Sequence, residues 1–173
     1  MIVSYINLAV YFFTFVIFLG FLYVIVPMFF NYNKSDIERV ICKNQNIECS
    51  IKGKVHYSFL PIPRIIVKDL IIQDTFNKNE ILAQIENAAI KLSIGNLLDT
   101  KKKNFKKIEL KDFIISFDLK NIKNYKNFNV KKSNFIPVTL TKGKIKFFNE
   151  KNYVATINDA NLNLILGKNY NKA

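Results

Sequence analysis

The residues able to do covalent or metal chemistry are few in this chain of 173 residues: one histidine, His56, and two cysteines, Cys42 and Cys49. His56 falls on the polar side of an alternating segment and has no carboxylate or thiol partner to activate it, so a solvated imidazole is its plainest role. Cys42 and Cys49 do not have zinc-site spacing, and no His or Cys cluster accompanies them. Two readings stay open for the pair. They are two separate buried thiols, the simpler case, or they form a disulfide closing a helix-to-strand loop in an oxidising compartment. Among the acids, Asp69 and Asp112 stand in matching Lys-Asp steps beside strand alternation, where a turn or bulge is the simpler account. There is no Ser/His/Asp set, no glycine-rich phosphate loop and no pair of acids at a credible spacing. Nucleophilic and metal catalysis are hard to build from this inventory, no metal or cofactor is implied, and the chain reads as a non-enzyme.

The net charge of +13 invites a nucleic-acid reading, because clustered basic residues supply the salt-dependent part of phosphate binding. Composition argues against it. Of 26 basic residues only Arg39 and Arg64 are arginine, and the chain is crowded with Lys, Asn and Ile, a pattern of AT-rich coding. The same charge suits an anionic bilayer surface, so the partner expected is membrane phospholipid and not nucleic acid.

Residues 1–33 carry no charged side chain, and Ile6 to Phe30 is almost wholly apolar, which as a helix reaches about 37 Å, enough to cross a bilayer with some tilt. A basic amino-terminal region and a small-residue cleavage site are both missing, so the segment reads as an uncleaved anchor and not as a secretory signal. Two regions follow: a transmembrane anchor at 1–33 and a β-rich domain at 34–173. Ser35 to Glu38 has the form of a capping box, with Ile37, Val40 and Ile41 on one face of the short helix it would open.

From Ile51 the period changes to two. Ile51, Gly53, Val55, Tyr57 and Phe59 alternate with Lys52, Lys54 and His56. Pro61 and Pro63 then impose a rigid bend, and strand resumes from Arg64 to Ile72. Thr75 to Asn79 reads as a hairpin turn and Ile81 to Ile94 as the returning strand. In that strand apolar positions 81, 83 and 85 give way to 88, 90, 92 and 94, a slip that predicts a bulge. Gly95 to Leu98 reads as a turn, Lys101 to Lys103 as a basic loop, and Ile108 to Leu119 as a strand. Asn121 to Asn134 reads as a long mobile connection. Strands at Phe135 to Phe148 and Tyr153 to Leu166 close the chain.

An internal repeat underlies this order. At an offset of 72, Leu82 to Leu92 lies over Val154 to Leu164, with identical pairs at Ala83 and Ala155, Ile85 and Ile157, Ala88 and Ala160, and Leu92 and Leu164. The expected fold is mainly β after an amino-terminal transmembrane helix: a curved, largely antiparallel sheet of repeated hairpins, six to eight strands, with one apolar face.

The pattern G-x-V-x-x-S-x-L-P-x-P, followed by an Asp and apolar residues, occurs at Gly53, Val55, Ser58, Leu60, Pro61, Pro63, Asp69 and Leu70. With Ile81 to Leu98 downstream, it resembles the amino-terminal module of the AsmA-like proteins of the Gram-negative envelope. The resemblance implies a single-pass inner-membrane anchor with the bulk of the chain in the periplasm, whereas Lys34, Arg39 and Lys43 after the helix argue by the positive-inside rule for the cytoplasm. It also implies a role in phospholipid transfer between membranes and in outer-membrane biogenesis, through an open apolar groove. The alternating residues that would line it are Val55, Tyr57, Phe59, Ile90, Leu92, Ile94, Phe113, Ile115, Phe117, Ile145, Phe147, Leu162 and Leu164. Two other readings stand beside it. The same residues would also make an ordinary closed core, or the chain is a tethered scaffold for outer-membrane assembly proteins that carries no lipid. AsmA-like proteins continue well beyond this length, so the resemblance also implies a fragment of a longer protein.

Overall fold

The computed structural model describes residues 2–42, 47–77, 80–98, 105–126 and 136–164. Helix α1 (Ile2–Ile25) runs into a 3-10 turn (Val26–Phe29), and helix α2 (Lys34–Ile41) follows. Seven strands then form one sheet: β1 (Cys49–Ile51), β2 (Val55–Ser58), β3 (Arg64–Gln73), β4 (Ile81–Leu92), β5 (Phe105–Asp118), β6 (Val138–Asn149) and β7 (Asn152–Leu164), with helix α3 (Ile122–Lys126) between β5 and β6. The mainly β fold with a long apolar amino-terminal helix is the one expected.

Helix α1 is long and apolar enough to cross a membrane over Asn7–Phe29, and none of that span's most apolar window is buried by protein. Tyr23 to Ile25 are half-buried and Pro27 is buried, which is where the chain turns onto the sheet. A core helix would be covered along one face. This one is bare.

The sheet order is β1-β3-β4-β5-β6-β7, with β2 beside β1 along the same edge of β3. All pairings are antiparallel except β5 with β6, which run parallel at a constant offset of 30 residues, from Ile108 opposite Val138 to Asp118 opposite Phe148. The two hairpin units are therefore not joined by a further hairpin, and the chain crosses over through α3, as a parallel pair requires. The connection read as mobile over 121–134 contains that helix; 127–135 lie outside the described residues, as do the basic loop at 101–103, Asn79, Lys43 and the end of the last strand.

Register places apolar residues in cross-strand rows. Ile65, Ile90, Ile108, Val138 and Leu164 form one row, Val67, Ala88, Leu110, Leu140 and Leu162 the next. Beyond them, Ile72, Ala83, Ile115, Ile145 and Ile157 form another. Each strand from β3 to β7 changes period between the second and third of these rows, because two consecutive residues there leave the buried side. In β4 the pair is Glu86 and Asn87, since Ile85 and Ala88 are both buried; the apolar pattern slips here without the expected bulge, because the register with β3 and β5 runs unbroken across it and the neighbouring strands change face at the same line. In β3, β5, β6 and β7 the break includes a residue in the left-handed region: Asp69 (φ 51°), Asp112 (φ 56°), Lys142 (φ 56°) and Asp159 (φ 51°). Aspartate tolerates that conformation better than most residues, which accounts for the matching Lys-Asp steps. Side chains tie the line together. Lys68 Nζ donates to Asn87 Oδ1, Asn87 Nδ2 to Asp112 Oδ2 (3.2 Å), and the Lys142 N–H to Asn161 Oδ1 (3.2 Å).

Two local expectations change. The segment 51–59 is two strands, broken at 52–54, because it crosses the same line of irregular backbone. The capping box at Ser35 does not form: α2 starts at Lys34 with Asn33 as its N-cap, and its first turn has no side-chain cap. Glu38 Oε1 instead accepts the Ile51 N–H at 2.6 Å, so it fastens α2 to β1. The Cys42 and Cys49 sulfurs are bonded, with Cα atoms 6.0 Å apart, which selects the disulfide from the two readings and pins the same junction.

Candidate functional site: an apolar cavity along the sheet

The family-pattern residues separate into two clusters. At Gly53 the chain passes β3 where Asp69 is left-handed: the Lys52 N–H donates to Asp69 O (3.0 Å), the Gly53 N–H to Lys68 O (3.2 Å) and the Lys68 N–H to Lys54 O (3.0 Å). A Cβ on Gly53 would lie 2.6 Å from Asp69 Oδ2 and 2.7 Å from Lys68 O, so only glycine permits this approach. The second cluster is the proline bend. Ser58 Oγ and Arg64 Nη2 both donate to Leu60 O, at 3.1 and 2.6 Å, across a cis Leu60–Pro61 peptide, while Pro63 O accepts the Leu92 N–H at 2.9 Å. Both clusters shape backbone.

The chemistry-bearing side chains stay apart. His56 is exposed on β2, and the carboxylates form no metal-holding group with His or Cys among the described residues.

What the sheet does assemble is apolar space. A cavity of about 510 Å³ is lined by Ile72, Ile85, Leu110, Ile115, Phe117, Leu140 and Leu164, together with Ile47, Thr75, Phe76, Leu82, Ala83 and Tyr125. A second, of about 250 Å³, lies over Leu70, Ile72, Ile108, Leu110, Val138, Leu140 and Leu164 and reaches Ile41, Cys42, Ile47 and Ile136. They share Ile47, Ile72, Leu110, Leu140 and Leu164, so together they follow the strands from the Ile108 row to Phe117, about 25–30 Å. The larger falls within the size range of small-molecule sites.

At the Phe117 end aromatic rings close in. Tyr125 of α3 packs edge-on against Phe76 and Phe117, with ring centroids 5.2 and 5.3 Å away, and Phe117 stacks on Phe147 at 6.1 Å. The Tyr125 hydroxyl donates to Asp74 Oδ2; Asp74 is buried and also accepts the Phe76 N–H through Oδ1 (2.8 Å). Burial raises the Tyr125 pKa, and the hydrogen bond to the Asp74 carboxylate raises it further, so the phenol stays protonated. Along the open side, β7 buries only Ala160, and Ile157, Leu162 and Leu164 remain exposed.

The thirteen groove candidates divide by location. Ile115, Phe117 and Leu164 line the cavity, with Phe147 stacked behind Phe117, Leu162 exposed opposite the lining Leu140, and Ile145 opposite Ile115 but buried in the core. Ile90, Leu92 and Phe113 are buried in the core. The Phe113 ring covers Gly143, where a Cβ would come within 2.1 Å of it. Val55 packs against the core, while Tyr57 and Phe59 serve the helix junction: the Tyr57 hydroxyl donates to Val24 O (2.9 Å), its ring stacks on Tyr32, and Phe59 meets Phe21 edge-on at 6.2 Å. Ile94, read as the end of a strand, begins a 3-10 turn and is exposed. Some of the set thus line the cavity and others are sealed in the core. Ile72, Leu110 and Leu140 were missed as lining residues although they obey the same alternation; Tyr125 and Phe76 lie off the strands and carried no periodic signal.

No family model, curated protein or solved structure matches the chain.

Proposed function

We propose that this chain is an AsmA-like protein of the Gram-negative envelope, anchored in the inner membrane by α1, whose sheet faces the periplasm and receives phospholipid acyl chains in the apolar cavity. In that role it contributes to phospholipid transfer between membranes and to outer-membrane biogenesis, as a carrier and not an enzyme. The observation that carries the reading is the cavity itself: apolar walls along most of the strand length, open beside β7, on a domain joined to a bare apolar helix. Each acyl methylene buried there gains about 0.8 kcal/mol, so partial insertion of one chain outweighs a few lost polar contacts. The disulfide suits an oxidising compartment.

A second reading, a tethered scaffold for outer-membrane assembly proteins, draws on the exposed strand β7, whose outer edge could take another strand. Lipid separates the two. In membranes containing phospholipids with a photoactivatable group on the acyl chain, the full chain is expected to crosslink at Ile115, Phe117 and Leu140. Leu164 is half-exposed, so Leu164→Asp leaves the fold intact by circular dichroism while placing a charge in the cavity, and it should abolish those crosslinks. Crosslinks confined to α1 in the wild type would overturn lipid binding by the sheet and leave the scaffold.

A further inference from the structure

One end of the sheet adjoins helix α1. Here lie the Ser58 to Pro63 bend and the Ile94–Asn96 turn with Leu97 and Leu98 after it. Both project large apolar side chains into solvent: Leu60 is 64% exposed, Ile62 43%, Ile94 56% and Leu98 45%. Loop tips are ordinarily polar, and four such residues on two adjacent tips form a patch that calls for a partner.

Helix α1 says which partner. Phe59, next to the bend, packs on Phe21, and the Tyr23 hydroxyl donates to Ile94 O at 2.8 Å. Phe21 and Tyr23 belong to the apolar span Asn7–Phe29. Counting about 20 residues from Asn7 for a 30 Å hydrocarbon core ends it near Val26, which sets Phe21 about 7 Å inside the boundary. Side chains touching Phe21 share its depth. Charge agrees with this placement. On the opposite face of the sheet, the cross-strand row at this end is Arg64, Lys91 and Lys107, with Glu109 between the two lysines at 2.7 and 3.2 Å. That leaves a net basic row just behind the apolar tips, where lipid phosphates would stand.

We propose that the Leu60–Ile62 bend and the Ile94–Leu98 turn insert into the bilayer leaflet in which α1 ends, with Arg64, Lys91 and Lys107 at the headgroups, so that the sheet is seated on the membrane and does not hang from a tether. The proposal rests on α1 spanning the bilayer, and it deepens the lipid-carrier reading by setting the Ile108 end of the cavity at the membrane surface.

The chain contains no tryptophan, so single tryptophans report position cleanly. The full chain is reconstituted in vesicles of phosphatidylcholine and phosphatidylglycerol whose acyl chains carry bromine quenchers. Ile62→Trp and Leu98→Trp are expected to be quenched to an extent approaching Phe18→Trp in α1. Tyr153→Trp, about 35 Å away along β7, should not be quenched. Adding Leu60→Asp and Ile62→Asp, both at exposed positions, should reduce the quenching of Leu98→Trp several-fold. If Phe18→Trp is quenched and both tip tryptophans are not, the seating fails while the anchor stands. If Phe18→Trp itself is unquenched, the anchor fails and takes the seating with it.

Discussion

At Gly143 a single hydrogen atom decides whether β6 can pass beneath Phe113, which is 1% exposed and has no room to retreat. Gly143→Ala is expected to destabilise the domain by about 1–3 kcal/mol through overpacking, read as a lower denaturation midpoint with an unchanged slope. Phe113→Leu should restore part of the loss in the double variant, which a clash predicts and a backbone effect of Gly143 does not. At the Phe117 end of the cavity, Tyr125→Phe removes a donor from the buried Asp74 carboxylate and should cost about 1–2 kcal/mol. The same bond gives a pH signature. Because the phenol's folded pKa is raised, its contribution is fully present below the ordinary tyrosine pKa of about 10 and is lost as pH climbs through the raised value. An alkaline decline in stability that is weaker in Tyr125→Phe checks it. Sequence hid this residue because its partner is 51 positions away and its own segment has no strand period.

At the level of elements, alternation was a good guide to which residues face which way and a poor one to who pairs with whom. The slip in β4 was legible because side-chain direction has a period of two, so any irregularity writes itself into the apolar pattern. The direction of β6 relative to β5 leaves no such trace, since parallel and antiparallel strands alternate alike. Glu38 misled for a related reason: a carboxylate placed to cap its own helix found the Ile51 N–H, a partner supplied by tertiary structure. That contact and the disulfide both fasten α2 to β1. Replacing Cys42 and Cys49 by serine is expected to lower stability by about 2–3 kcal/mol, the entropy of closing so short a loop. Equilibrium unfolding with and without reductant should shift the wild type and leave the double variant unmoved.

For the molecule as a whole, membrane orientation is the property on which local charge and the proposed function disagree. A fusion after Ala173 is expected to be active with a periplasmic reporter and silent with a cytoplasmic one; the opposite pattern would mean that Lys34, Arg39 and Lys43 decide the topology. The long apolar helix and the β-rich domain were plain from composition and period. The cavity was only half legible, because Ile90 and Ile115 obey the same alternation yet one is sealed in the core and the other lines open space.

The parallel step between β5 and β6 also bears on how the chain reaches this state. Strands β3, β4 and β5 are neighbours in sequence and can zip from their own turns, as can β6 with β7. Their union is a separate event, since every register pair in it joins residues 30 apart and must wait for α3 to close the crossover. Until then the β5 edge is an unpaired row of amides beside Ile108, Leu110 and Ile115, an aggregation hazard during synthesis. Substitutions in the β3–β4 hairpin should therefore slow folding, and those in β6 should chiefly speed unfolding.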